Sequence, residues 1–241
     1  MNLFPAIDLI GGKAVRLVRG DYAQMTVYSD RPVEVAQRFA ACGASYLHVV
    51  DLEGARDGTT PNLATVRDLI DNGGLHVEIG GGIRSMDTVK TYMDAGAYRV
   101  IIGTAAVTDP DFLDRALDAY GERIAVGVDI RDGMVAIKGW TELSSLTCFD
   151  FCRTLEEKGV STVICTDISK DGLLGGTNLS LYAEMAKQFK LNVTASGGVS
   201  STEDVRRLNE MGLYGAILGK ALYTGTLDLS EALRITGEVS Q

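Results

Sequence analysis

The stretch GGGIRSMDTVKTYMDAGAYRVIIGTA, residues 80–105, returns in altered form as SGGVSSTEDVRRLNEMGLYGAILGKA, residues 196–221. A constant offset of 116 pairs Gly81 with Gly197, Gly82 with Gly198, Gly96 with Gly212 and Gly103 with Gly219. The same offset pairs Asp51 with Asp167 and Gly43 with Gly159. Each copy sets a glycine pair after a short apolar run, then a helical pattern, then a second apolar run closed by glycine. Glycine loops of this kind leave backbone N–H groups free to cradle an anion such as a phosphate. Two copies predict two phosphate sites, facing each other if the halves pack symmetrically, and so a ligand carrying two phosphates.

Outward from the repeat, apolar β-branched runs recur at 3–9, 46–51, 76–80, 99–103, 124–130, 162–167, 192–196 and 215–219. They are near-continuous rather than alternating, the mark of strands buried on both faces in a parallel sheet. Between them lie amphipathic helical patterns at 33–42, 62–72, 85–95, 109–120, 149–158, 181–189, 202–211 and 229–235. Ser85, Thr108-Asp109-Pro110 and Ser201 mark helix starts, and Gly43, Gly96, Gly121, Gly159 and Gly212 mark helix ends. Eight strands alternating with eight helices is the count of a (β/α)8, or TIM, barrel. A doubly wound open sheet has the same alternation, but a twofold repeat favours closure from two four-strand halves. The expected domain is a single α/β barrel over 1–241, with half-barrels at about 1–121 and 122–241. The stretches 10–32 and 131–147 read as long irregular loops, the first as a lid.

Barrel sites occupy the C-terminal ends of the strands. Asp8 ends strand one and Asp129 ends strand five, on opposite sides of an eight-strand barrel. Each follows an apolar run where an unpaired carboxylate is costly to bury. Either each caps a loop or pairs with a cation, or the two form an acid–base pair; two together between phosphate loops favour the pair. Gly81 and Gly82 follow strand three, and Gly103 and Thr104 end strand four. Gly197 and Gly198 follow strand seven, and Gly219 and Lys220 end strand eight, the usual barrel phosphate position. Ser196 and Thr104 can add hydroxyl contacts, and Gly176 another close backbone approach. Arg84 either reaches a phosphate or is an exposed helix-start residue. Arg16 and Arg19 either close over an anion or are solvated loop charges. His48 is either a satisfied strand histidine or a ligand contact, whereas His76 reads as structural. Trp140 either stacks on a planar ligand or anchors a lid. Thr166, Asp167 and Asp171 cluster at the end of strand six.

A net charge of −9 argues against a nucleic-acid partner. Cys42, Cys148, Cys152 and Cys165 form no C-x-x-C pair and read as reduced thiols. The opening MNLFPAIDLI lacks a signal-peptide pattern, and no apolar run is long enough for a membrane span. A cytoplasmic monomer acting on a small-molecule bisphosphate is expected. No His/Asp/Glu group has metal-ligand spacing and no GxGxxG follows the first strand, so neither metal nor cofactor is expected.

The segments FPAIDLIGGKAVRLVRGD, GGGIRS, GWTELSS and TDISKDGLLGGTN together resemble the phosphoribosylformimino-5-aminoimidazole carboxamide ribotide isomerases of histidine biosynthesis, over essentially the whole chain. The resemblance implies a cofactor-free Amadori rearrangement of a two-phosphate aminoaldose to an aminoketose. It implies that the family's base falls on Asp8, its acid on Asp129, its strand-six threonine on Thr166 and its ligand-stacking tryptophan on Trp140. The sister cyclase subunit of imidazole glycerol phosphate synthase shares the repeat but has a different opening strand. Phosphoribosylanthranilate isomerase, expected to carry a cysteine base in strand one, has Asp8 against it; an isomerase serving both substrates stays open. A non-catalytic phosphosugar-binding barrel would not place two carboxylates beside phosphates.

Overall fold

A computed structural model describes residues 1–18 and 20–237. The barrel strands are β1 (Asn2–Ile10), β2 (Tyr46–Asp51), β3 (His76–Gly80), β4 (Arg99–Ile102), β5 (Ile124–Arg131), β6 (Thr162–Asp167), β7 (Asn192–Ser196) and β8 (Gly215–Leu218). Each runs parallel to its neighbours, and β8 returns to β1 with Gly215 opposite Asn2, closing a (β/α)8 barrel. The apolar runs arise because both strand faces are buried. One face packs under the helices in the main core. The other fills the barrel interior with Phe4, Ala6, Ile101, Ala125, Ile164 and Ile217. Ranks of side chains from successive strands plug a barrel of this size, and its upper rank is left for polar groups.

The helix starts are set by side-chain caps. Ser85 accepts from Thr88 N–H at 3.2 Å, Asp109 from Phe112 N–H at 2.9 Å, and Ser201 forms a reciprocal box with Asp204. Each such cap contributes about 1 kcal/mol. Two further carboxylates, at strand ends, tie the chain across the repeat offset. Asp51 accepts from Asn62 Nδ2 at 2.7 Å, and Asp167 accepts from Asn178 Nδ2 at 2.7 Å.

The two stretches expected to be irregular are β-hairpins. Lys13–Val18 continues antiparallel from β1 and pairs with Asp21–Ser29, while Met134–Ile137 continues from β5 and pairs with Glu142–Thr147. Their outer strands are largely exposed, so backbone pairing rather than burial defines them, and no apolar run announces them. Among the described residues no helix is long and apolar enough to cross a membrane.

Candidate active site

A cavity of about 850 Å³ opens at the C-terminal ends of the strands, walled by Asp8, Asp129 and both glycine loops. Asp8 is held by the first hairpin. The register that sets Val15 opposite Asp8 brings Arg16 alongside, and Arg16 Nη1 donates to Asp8 Oδ2 at 2.7 Å. Arg16 Nη2 donates to the Ala6 carbonyl at 3.0 Å, and the guanidinium lies over the Tyr223 ring and against Gly219. Arg16 is therefore a partner of a carboxylate on the cavity wall and itself lines the cavity. Arg19 lies outside the described residues.

Asp129 stands in register with Thr166 on β6, which in turn faces Ser196 on β7. Burial pushes the Asp129 carboxyl up, and hydrogen bonds from Trp140 and Thr166 and the nearby His48 pull partly the other way. Trp140 reaches it from the second hairpin in a left-handed conformation, φ +73°, which costs an L residue about 1–2 kcal/mol. Its ring packs against Gly20 of the first hairpin, so the two hairpins meet over the cavity.

A third carboxyl is in the cavity wall. Asp171, in the turn after β6, is pushed up to about 6, chiefly by desolvation, with Asp8 and Asp129 adding to the shift and Arg16 opposing it. The sequence placed it in a polar cluster without assigning it to the site.

The glycine loops owe their residue type to backbone crowding. A Cβ on Gly82 (φ +72°) would collide with the Gly54 carbonyl, and one on Gly198 (φ +81°) would lie 2.5 Å from the Gly176 carbonyl. Gly82→Ala is expected to lower stability by about 2–4 kcal/mol, combining left-handed strain with the clash. Gly212→Ala (φ +73°, no neighbour within 4 Å) pays only the strain, about 1–2 kcal/mol. Thermal unfolding compares them; equal losses would show that no backbone crowding exists at Gly82.

Gly103 and Gly219 adopt nearly the same backbone angles, φ −98° ψ −108° and φ −105° ψ −113°, and each caps a short helix, Thr104–Thr108 and Lys220–Thr224. First-turn N–H groups have no intrahelical partner and point outward from the helix start. Thr104, Arg84, Lys220, Ser196, His48 and the six loop glycines Gly81, Gly82, Gly103, Gly197, Gly198 and Gly219 all line the cavity. Within it, Thr104 Oγ1 accepts from Lys138 N–H at 2.9 Å, Arg84 donates to the Ala55 carbonyl at 2.8 Å, and Lys220 donates to the Gly172 carbonyl at 3.0 Å. The Gly176 carbonyl makes a close backbone approach to Gly198, which lines the cavity. His76 lies at the opposite end, in an aromatic cluster with Tyr46 and Tyr98. Among the described residues no group of three or more His, Cys, Asp or Glu side chains could hold a metal ion.

Fold and cavity thus define a (β/α)8-barrel protein with a polar strand-end site between two glycine loops. Residues 2–228 match the model of the family described as histidine biosynthesis protein, and the chain belongs to that family. A protein of Lactococcus lactis subsp. cremoris is 52% identical over 96% of this chain and 95% of its own. A protein of Acetivibrio thermocellus is 46% identical over 98% of this chain and 99% of its own. Both are named 1-(5-phosphoribosyl)-5-((5-phosphoribosylamino)methylideneamino)imidazole-4-carboxamide isomerase.

Proposed function

We propose that this chain is the isomerase of histidine biosynthesis that its relatives are named for, converting phosphoribosylformimino-5-aminoimidazole carboxamide ribotide to its phosphoribulosyl aminoketose. The observation that carries this is one cavity in which strand-end carboxyls lie between two glycine loops. A substrate with a phosphate at each end fits that arrangement. One phosphate sits at Gly81, Gly82, Gly103 and Thr104 with Arg84 beside it, and the other at Gly197, Gly198, Gly219 and Lys220 with Ser196. His48, Thr166 and Trp140 contact the middle of the ligand. No metal or cofactor enters the scheme.

The chemistry needs one acid and one base. Asp129 donates a proton to the ribose ring oxygen, the C1–O bond breaks, and a Schiff base forms with the exocyclic nitrogen. Asp8 then removes the C2 proton, giving an enolamine that tautomerises to the ketose with a proton returned at C1. A second reading makes Asp171 the donor, because its carboxyl, raised to about 6, keeps a proton to a pH where an ordinary aspartate has lost it. Asp129 then holds the substrate beside Thr166.

Absorbance-monitored turnover of the aminoaldose, with and without added cyclase and ammonia, tests the function. Conversion without either addition is expected. Inertness toward the aminoaldose, with consumption of the aminoketose and ammonia, would instead establish the cyclase. A substrate lacking one terminal phosphate is expected to lose at least about tenfold in kcat as well as affinity, because remote binding energy positions the reacting carbon. A change in KM alone would overturn that account.

The single domain over 1–241 and its half-barrels are part of the same reading, supported by the matched Asp51–Asn62 and Asp167–Asn178 bonds. Action as a monomer on a small-molecule bisphosphate is part of the same reading. A cytoplasmic location is supported by four free cysteines.

A further inference from the structure

Ala6, His48, Glu78 and Arg99 stand side by side at one level of the barrel, in register across β1, β2, β3 and β4. Glu78 is fully buried and Arg99 is 3% exposed. Arg99 Nη2 and Nε donate to Glu78 Oε2 at 2.8 and 3.2 Å, and Arg99 Nη1 donates past β5 to Thr162 Oγ1 on β6 at 3.0 Å. The other carboxylate oxygen, Oε1, lies 2.7 Å from His48 Nδ1.

Packing does not require this pair. An apolar pair of similar volume is often as stable as a buried ion pair or more so. What the pair supplies is a fixed acceptor for His48. Burial by itself would push the Glu78 carboxyl up, but the bonds and charges of His48 and Arg99 outweigh it and hold it below the usual carboxylate range. An ionised carboxylate only accepts, so the Nδ1 atom facing it must carry the proton. Nε2 is then the ring nitrogen left for the cavity, whose wall His48 shares with Asp129.

We infer that Glu78, with Arg99 behind it, is a positioning residue that fixes the ring of His48 with Nδ1 protonated, so that Nε2 alone meets the substrate beside Asp129. The substrate part of this inference rests on the isomerase reading; the ring's protonation pattern does not.

Nitrogen NMR of the full chain tests it. His48 and His76 are the only histidines, so His76→Gln assigns the signals. At pH 8 the wild-type His48 is expected to carry a proton on Nδ1. In Glu78→Leu/Arg99→Met, where both charges leave together, that preference should be lost. Turnover of the same double variant should fall between about tenfold and a hundredfold in kcat, with KM changed less than about threefold. A wild-type spectrum with unprotonated Nδ1 overturns the inference, and so does a folded double variant with wild-type kcat. If the double variant does not fold, the wild-type spectrum decides alone. Wild-type protein that shows the protonated Nδ1 but no turnover would remove the isomerase reading and leave the positioning of His48 standing.

Discussion

Asp8→Asn is expected to lose about 10³-fold or more in kcat, near the upper range for removal of a general base. Its substrate affinity should stay within about tenfold, or about 1.4 kcal/mol. The asparagine keeps the shape of the side chain and an oxygen that can accept from Arg16 Nη1, 2.7 Å away in the wild type. It keeps no basic site for the C2 proton. Affinity is assigned to the two phosphate loops, which the change leaves intact, so binding and turnover should separate. Both partners of the Asp8–Arg16 pair are only 15% exposed, and halving its charge should cost about 1–3 kcal/mol of stability. Circular dichroism and a thermal melt distinguish that loss from unfolding. Retention of more than about a tenth of the wild-type rate would remove Asp8 from the role of base.

The Asp8–Arg16 contact also marks where a linear reading stops. Asp8 was legible because a carboxylate closes an apolar run on a barrel strand. Arg16 read as a loop cation because nothing in KAVRLV or DYAQMTVYS announces a hairpin; the second strand is exposed along most of its length. Once the hairpin forms, register alone determines that Arg16 meets Asp8. The barrel strands were legible for the opposite reason, since burial on both faces writes an uninterrupted apolar run. Gly81 with Gly82, and Gly197 with Gly198, were legible from the repeat, but the carbonyls they pack against come from segments far along the chain. That is why the approach of Gly54 to Gly82 is not legible in either segment alone. Glu78 carries a signal of its own in the sequence: a carboxylate inside HVEIG, answered by an arginine at the start of the next strand, in RVII. Opposite charges at paired positions of adjacent buried strands are costly unless they meet, and here they meet at 2.8 Å.

Asp171→Asn is expected to make the protein more stable at neutral pH and, in the reading that makes Asp171 the donor, less active. The folded-state carboxyl is raised to about 6 from the ordinary 3.8. Below about pH 4 both the folded and unfolded chains hold this proton, and the folded state has its full stability. Between about pH 4 and 6 the unfolded chain releases this proton while the folded chain keeps it, so stability falls as the pH rises through that window and levels off above it. Asparagine removes that penalty. At about 1.4 kcal/mol per pKa unit, discounted because the residue is only half-buried, the gain at pH 7.5 is about 1–2 kcal/mol. The melting temperature should rise by about 2–8 °C there, with the difference vanishing near pH 4. A donor lost from the reaction should at the same time cost about 10²-fold in kcat. The wild-type kcat/KM should decline above pH 6 as the acid ionises, and Asp171→Asn should lack that decline. Asp129→Asn loses a comparable factor in either reading, through the proton or through the substrate contact. The discriminating result is therefore the activity of Asp171→Asn. If it is stabilised yet keeps more than about a tenth of the wild-type rate, Asp129 is the donor, and the raised carboxyl of Asp171 is chiefly a cost of desolvating it in the cavity wall.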